Sequence, residues 1–333
     1  MHVGTSTRLF GILAFAAGTA VAIHRRSVRI PNLAIIVATV LVAWSMLTFF
    51  WTLDQHATAL RARTLLELLA MLWLIWDECR GPVRQRQVMH AYVLGAAAAS
   101  VIAFFRYFTH QQTNYRRYAA TGFDPNDFGL ILALAIPLAL YLGLQHRGWM
   151  QWYFCGLSLS IIFAIFLTAS RTALVATFVA FGFVIATWGA ATVSQKIASA
   201  TLLAVLPLGM LPYGPTPQRQ RLATLPAELS HGTFHDRTRI WKAGLVTLKR
   251  HALLGVGAGA YPEAVRPILG TPADSRFQFV AHNTFLSVLV ETGAIGLSLY
   301  ALLLASLVLF IWMMPGTERA LWSAMLAAWA EVT

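Results

Sequence analysis

The chain has 333 residues, of which 58% are apolar and 11% charged, with 25 Lys and Arg against 13 Asp and Glu for a formal charge of +12. Soluble domains carry about 25% charged residues, so a water-soluble fold of this length is excluded. Two Cys and no glycine period exclude a disulfide scaffold and a collagen, which leaves a polytopic membrane protein.

About 30 Å of hydrocarbon takes roughly 20 residues at 1.5 Å each, and apolar runs near that length read as spans. They fall at Leu9–Ile23, Ile30–Leu53, Thr64–Trp76, Val88–Phe105, Asp127–Leu144, Trp152–Thr168, Thr172–Trp188 and Ile197–Leu211. A polar interval of 70 residues follows, Pro212–Ala281, and then a last clear span at Ala294–Met314. Residues Glu318–Thr333 open a further amphiphilic helix. Residues 1–211 therefore read as transmembrane helices, 212–292 as an extracytoplasmic loop with short amphipathic helices, and 293–333 as C-terminal membrane segments. The fold class is all-α, a bundle of about nine to ten spans. Short alternate loops hold nine Lys and Arg on one side, Arg25, Arg80 and Arg147 among them, and seven on the other, which includes Arg61, Arg117 and Arg171. The positive-inside rule places the first set in the cytoplasm and the long interval outside. Cys79 and Cys155 then both lie on the reducing side, where a structural disulfide is not expected. The basic residues sit between apolar spans as anchors, which argues against a nucleic-acid partner.

The long interval carries nine Lys and Arg against four Asp and Glu. So long a stretch is expected to hold helices of its own. Asp236 is placed to cap one running to about His251, with Ile240, Trp241, Leu245 and Leu248 on one face. Gly255, Gly257 and Gly259 break the chain, and a short helix is expected around Tyr261–Leu269. The glycines lack the Gly-x-Gly-x-x-Gly spacing of a dinucleotide site, and close backbone approach explains them. His282 to Glu291 reads as an amphipathic helix joined to the last span at Thr292–Gly293. A straight helix over 282–314 would reach about 50 Å, so its first part is expected at the outer interface.

Few residues are placed for chemistry. Asp124 and Asp127 read as N-cap and first-turn acid around Pro125, with a metal or acid–base role as the alternative. Arg171, between two spans, is either a snorkelling anchor or an inward-facing anion ligand. Arg237 and Arg239 sit near a helix start, either on a solvated face or against a pyrophosphate. His282, followed by Asn283, is a titratable group at the mouth of the bundle, and His is the most available general base near neutral pH. His231, His235, His251 and His282 show no zinc-signature spacing, and no clustered hard oxygen ligands for Mg²⁺ are visible in the interval.

Four passages resemble the O-antigen ligase and polymerase superfamily of bacterial envelope proteins. They are Asp124–Pro137 (DPNDFGLILALAIP), Thr168–Leu174 (TASRTAL), Arg237–Leu245 (RTRIWKAGL) leading to Leu254–Tyr261 (LGVGAGAY), and Ala281–Leu297 (AHNTFLSVLVETGAIGL). The resemblance covers about residues 120–315. It implies a GT-C-like, multi-pass protein of the bacterial inner membrane, active at the periplasmic face. The implied donor is a glycan on undecaprenyl pyrophosphate. The implied acceptor is a hydroxyl of lipid A–core, of another lipid-linked repeat or of a protein. By the same resemblance His282 is the base and Arg171 and Arg237 bind the pyrophosphate; Arg239, with no clear counterpart in the family, is an extra positive charge beside them, and Asn283 is read with them as substrate-binding. Transfer would invert the anomeric centre with no metal or cofactor. Family members carry one or two further spans after the His-Asn helix and usually an inside N-terminus, and 333 residues is short for the family. Ligase and polymerase differ only in acceptor. A transporter or lipid-linked sugar flippase is the alternative of another class. It predicts charges deep in the spans, and Glu67 is the main candidate for one.

Overall fold

The computed structural model of the chain describes residues 3–111, 117–187, 193, 234–270 and 279–330. The described regular structure is helical. In chain order it comprises α1 (Val3–Arg25), α2 (Leu33–Leu47) with a 3-10 turn (Thr48–Phe50), α3 (Gln55–Glu78), α4 (Pro82–Phe108), α5 (Pro125–Leu144), α6 (Trp149–Thr168) and α7 (Arg171–Thr187). Then come α8 (Phe234–His251), α9 (Tyr261–Leu269), α10 (Thr284–Met313) and α11 (Gly316–Ala330). Among the described helices, five are long and apolar enough to cross a membrane: α2 with its 3-10 turn, α4, α5, α6 and α10. The expected span at Ile197–Leu211 lies outside the described residues. The fold is a polytopic helical membrane bundle, and large apolar side chains such as Val101, Phe105 and Leu309 face outward, as lipid-facing residues do.

The chain divides into two compact units. The first contains α4, α5, α6, α7 and α11. Its core is built on α5, where Leu132, Ala133, Ile136 and Ala139 are buried against Ile161 and Ile165 of α6, Ala173 and Ala176 of α7, and Leu321 of α11. Small residues let these helices approach closely. A Cβ on Gly129 would stand 2.6 Å from that of Ala173. As expected, α5 starts with Asp124 as N-cap, its carboxylate accepting the Asn126 N–H at 2.8 Å, and with Pro125 at the first helical position.

The second unit contains α1 from Arg8, α2, α3, α8, α9 and α10 as far as Phe310. At one end Asp77 is buried among arginines. It accepts the Arg29 backbone N–H, Arg25 Nη2 and Arg80 Nη2, each at 2.6 Å, and Arg29 lies over the Trp76 ring. Burial pushes the Asp77 carboxyl up, but the Arg29 N–H and the guanidiniums of Arg80 and Arg25 outweigh it and hold the group below its ordinary value. The loops before α2 and after α3, expected on one side of the membrane, do meet here.

At the opposite end of α2 and α3 the glycine loop packs onto a break in α10. Gly293 has φ 70 and ψ −172 and divides the helix in two, at the expected Thr292–Gly293 junction. A helix break leaves backbone groups unpaired, and in a membrane protein these must be satisfied internally. Here the loop and Trp44 of α2 do so. Val290 O accepts Val256 N–H at 3.0 Å, Glu291 O accepts Gly257 N–H at 2.9 Å, and Thr292 O accepts Trp44 Nε1–H at 2.9 Å. Beyond the break, Ala294 N–H donates to Ala252 O at 2.9 Å. Gly293 and Gly255 both take positive φ, and a Cβ on either would collide with the other strand of backbone. Gly293→Ala is therefore expected to destabilise the protein by about 2–3 kcal/mol, combining left-handed strain with the clash. Thermal unfolding in detergent measures it, and an unchanged midpoint would contradict this account of the break.

Candidate functional site

The five residues singled out in the sequence fall in the two units. In the second, α8 begins at Phe234, so Asp236 lies inside the helix rather than capping it from before its start. The buried face of α8 is Ile240, Ala243 and Leu248, packed on Val256, Tyr261, Val265 and Val290. Leu245, expected on that face, is 53% exposed. The helix at Tyr261–Leu269 forms as expected. The Tyr261 hydroxyl donates to Ile240 O at 3.1 Å, and burial, then the charge of Glu291, pushes its pKa up to about 12, so it keeps the proton it donates.

His282 is exposed and adopts φ 47, a left-handed conformation. It sits between two fixed neighbours. Ala281 before it is buried, and its carbonyl accepts the Trp241 indole N–H at 2.6 Å. Asn283 after it caps α10, with Oδ1 accepting Leu286 N–H at 2.9 Å and its carbonyl accepting Ser287 N–H at 3.0 Å. Asn283 thus has a structural task at the position read as substrate-binding.

Trp241, which holds the carbonyl before His282, lies four residues after Arg237 on α8, so Trp241 and Arg237 share a face of that helix about 6 Å apart along its axis. Arg237 is partly buried. Arg239 turns to another face, where its Nη2 donates to Leu269 O at 2.9 Å and caps the end of α9. One of its donors is therefore committed to the fold.

Glu291 completes this constellation and was not anticipated. It is 8% exposed, accepts the Gly259 N–H at 2.7 Å and the Tyr261 backbone N–H, and lies within the field of Arg61. One carboxylate thus joins the helix that follows His282 to the loop that follows α8. Its sequence signal is an acid two residues before the glycine of the break.

In the first unit, Arg171 is the opening residue of α7. Ala169 closes α6 with φ 49, and the buried Ser170 caps α7, its Oγ accepting Ala173 N–H at 3.3 Å. Beneath this turn lies Arg117, 3% exposed, with Nε donating to Thr168 O at 2.5 Å and Nη2 to Asn126 Oδ1 at 2.8 Å. Counted in sequence among the outer-loop arginines, Arg117 instead clamps the turn that presents Arg171 to the start of α5. Arg117→Lys keeps the charge but not the fork that spans both acceptors. It is expected to cost about 2 kcal/mol, the worth of one hydrogen bond to a charged group, read as a lower melting temperature in detergent. Among the described residues, no three His, Cys, Asp or Glu gather to hold a metal ion.

A bundle with five described helices long and apolar enough to cross a membrane defines a multi-pass membrane protein. Residues 156–301 match the model of the O-antigen ligase family (Wzy_C), and this stretch contains Arg171, Arg237, Arg239, His282 and Asn283. The chain is also similar to the exopolysaccharide production protein ExoQ of Rhizobium meliloti (strain 1021), with 39% identity over 79 residues, covering 22% of this chain and 18% of that protein. Both matches are to the O-antigen ligase and polymerase superfamily, as the resemblance read from the motifs has it.

Proposed function

We propose that this protein is a glycosyltransferase of the bacterial inner membrane that moves a glycan from undecaprenyl pyrophosphate to an acceptor hydroxyl at the periplasmic face. The observation that carries the reading is the hydrogen bond from Trp241, on Arg237's helix, to the Ala281 carbonyl next to His282, inside a stretch that matches the O-antigen ligase family. His282 takes the proton from the acceptor hydroxyl as its oxygen attacks the anomeric carbon. The bond from that carbon to the pyrophosphate oxygen breaks, and undecaprenyl pyrophosphate leaves with the electron pair. Arg237 and Arg171 bind the pyrophosphate and stabilise the charge that develops on it, with Arg239 adding positive charge nearby. Attack opposite the leaving group inverts the anomeric centre. The pyrophosphate is already an activated leaving group, so the scheme needs no metal or cofactor.

A second reading differs in acceptor. A polymerase adds the glycan to another lipid-linked repeat, and the similarity to a protein of exopolysaccharide production favours it. Complementation separates the two. The full-length gene is placed in a ligase-null and a polymerase-null strain, and the lipopolysaccharide ladder is examined. Restored attachment supports a ligase, restored chain length a polymerase, and neither in both strains argues against transfer.

A further inference from the structure

His282 is held in a conformation that a non-glycine residue rarely takes. Its φ of 47 costs on the order of 1–2 kcal/mol and persists only where the surroundings fix it. Histidine tolerates that region better than most residues. The fixing groups are visible on both sides. After it, Asn283 is bound into the first turn of α10 by its side chain and its carbonyl. Before it, Ala281 is 1% exposed in the core of the loop assembly, packed with Ala243, Val256 and Val290. The Ala281 carbonyl accepts the Trp241 indole N–H at 2.6 Å, across 40 residues of chain. The backbone must therefore turn at His282, because neither neighbour is free to move.

We propose that Trp241 is a positioning residue for glycan transfer: its indole N–H fixes the Ala281 carbonyl and so sets the direction in which His282 leaves the backbone, relative to Arg237 one turn away on α8. The proposal rests on the reading of His282 as the base. Trp241 gives no proton or electrons to the reaction and does not touch the substrate. The proton still passes from the acceptor hydroxyl to the imidazole, and the bond to pyrophosphate still breaks. What Trp241 supplies is alignment of the base with the group that holds the leaving group. A small misplacement of a catalytic group lowers turnover much more than it lowers ground-state binding. The donor's lipid and glycan do not depend on the Ala281 carbonyl, so the effect falls on kcat.

The test uses the full chain in proteoliposomes. Undecaprenyl-pyrophosphate-linked repeat units extracted from the native strain are the donor, and lipid A–core or the repeat units themselves are the acceptor. Trp241→Phe keeps an aromatic ring in the core and removes the N–H. Replacing Trp241 by 3-benzothienylalanine keeps the full bicyclic shape and puts sulfur in place of the N–H, so folding is preserved. Turnover is expressed per donor-binding site, which removes any misfolded fraction. Both variants are expected to lower kcat about 10- to 100-fold and to leave the donor KM within about twofold. A benzothienyl protein with full kcat overturns the proposal. So does a raised donor KM at unchanged kcat, which would make Trp241 a substrate contact. His282→Ala run alongside keeps the two ideas apart: if it transfers at the wild-type rate, the base reading itself falls, whereas an inactive His282→Ala beside a fully active Trp241 variant overturns only the role of Trp241.

Discussion

Replacing His282 is expected to abolish glycan attachment in cells and to lower turnover in vitro by about 10²- to 10⁴-fold, the usual contribution of a general base. The choice of replacement matters because of the backbone. At φ 47 alanine is more strained than histidine, so a loss in His282→Ala could arise from a shifted loop. Asparagine is among the residues most at home in the left-handed region. His282→Asn therefore preserves the turn between Ala281 and Asn283, retains hydrogen-bonding capacity and removes only the ability to accept a proton. Both variants should be inactive by the lipopolysaccharide ladder, with the protein present in the membrane at its normal level. Near-normal attachment by His282→Asn would show that the residue orients the acceptor by hydrogen bonding and is not the base. Donor binding should survive in both, since the groups assigned to the pyrophosphate are untouched.

Local rules made parts of this architecture legible in advance. The Asp124–Pro125 start of α5 follows from capping and the fixed φ of proline, both properties of adjacent residues. That residues 282–314 do not form one straight span followed from length alone, because such a run would overshoot the bilayer. The glycine loop read correctly as a place of close backbone approach, but what it approaches was hidden. Its partners, Leu53, Val290 and Glu291, lie far away in sequence, and hydrogen bonds between backbones carry no signature in side-chain type. The same reason hid Arg117. A lone arginine between spans reads as an anchor, and only the fold brings Thr168 O, 51 residues on, to its guanidinium. Trp241 was assigned to an apolar face, which used its ring and ignored its N–H. Asn283 and Arg239 show the converse. Both were chosen for their chemistry, and both have polar atoms engaged in capping helices. Residue type narrows the candidates, while the hydrogen bonds already made decide how much of each side chain remains for a ligand.

Arg171→Lys and Arg237→Lys are each expected to lower transfer about 10- to 100-fold. Lysine preserves the charge, so attraction of an anionic donor persists, but the two parallel N–H donors of a guanidinium are lost. A hydrogen bond to a charged group is worth about 1.5–3 kcal/mol, and the charge on the pyrophosphate grows as its bond to the sugar breaks. The loss should therefore be larger in kcat than in donor binding. Wild-type activity in Arg171→Lys would remove that residue from the clamp and return it to a membrane anchor. The double variant asks a sharper question. Arg171 opens α7 and Arg237 lies on α8. Mutations at independent sites add within about 0.5 kcal/mol, whereas residues sharing a ligand couple by up to about 3 kcal/mol. If both hold one pyrophosphate, the double variant should lose less than the product of the two single losses, because the second change acts on a clamp already opened. Strict additivity would mean that the arginines serve different groups, one on the donor and one on the acceptor or on membrane lipid.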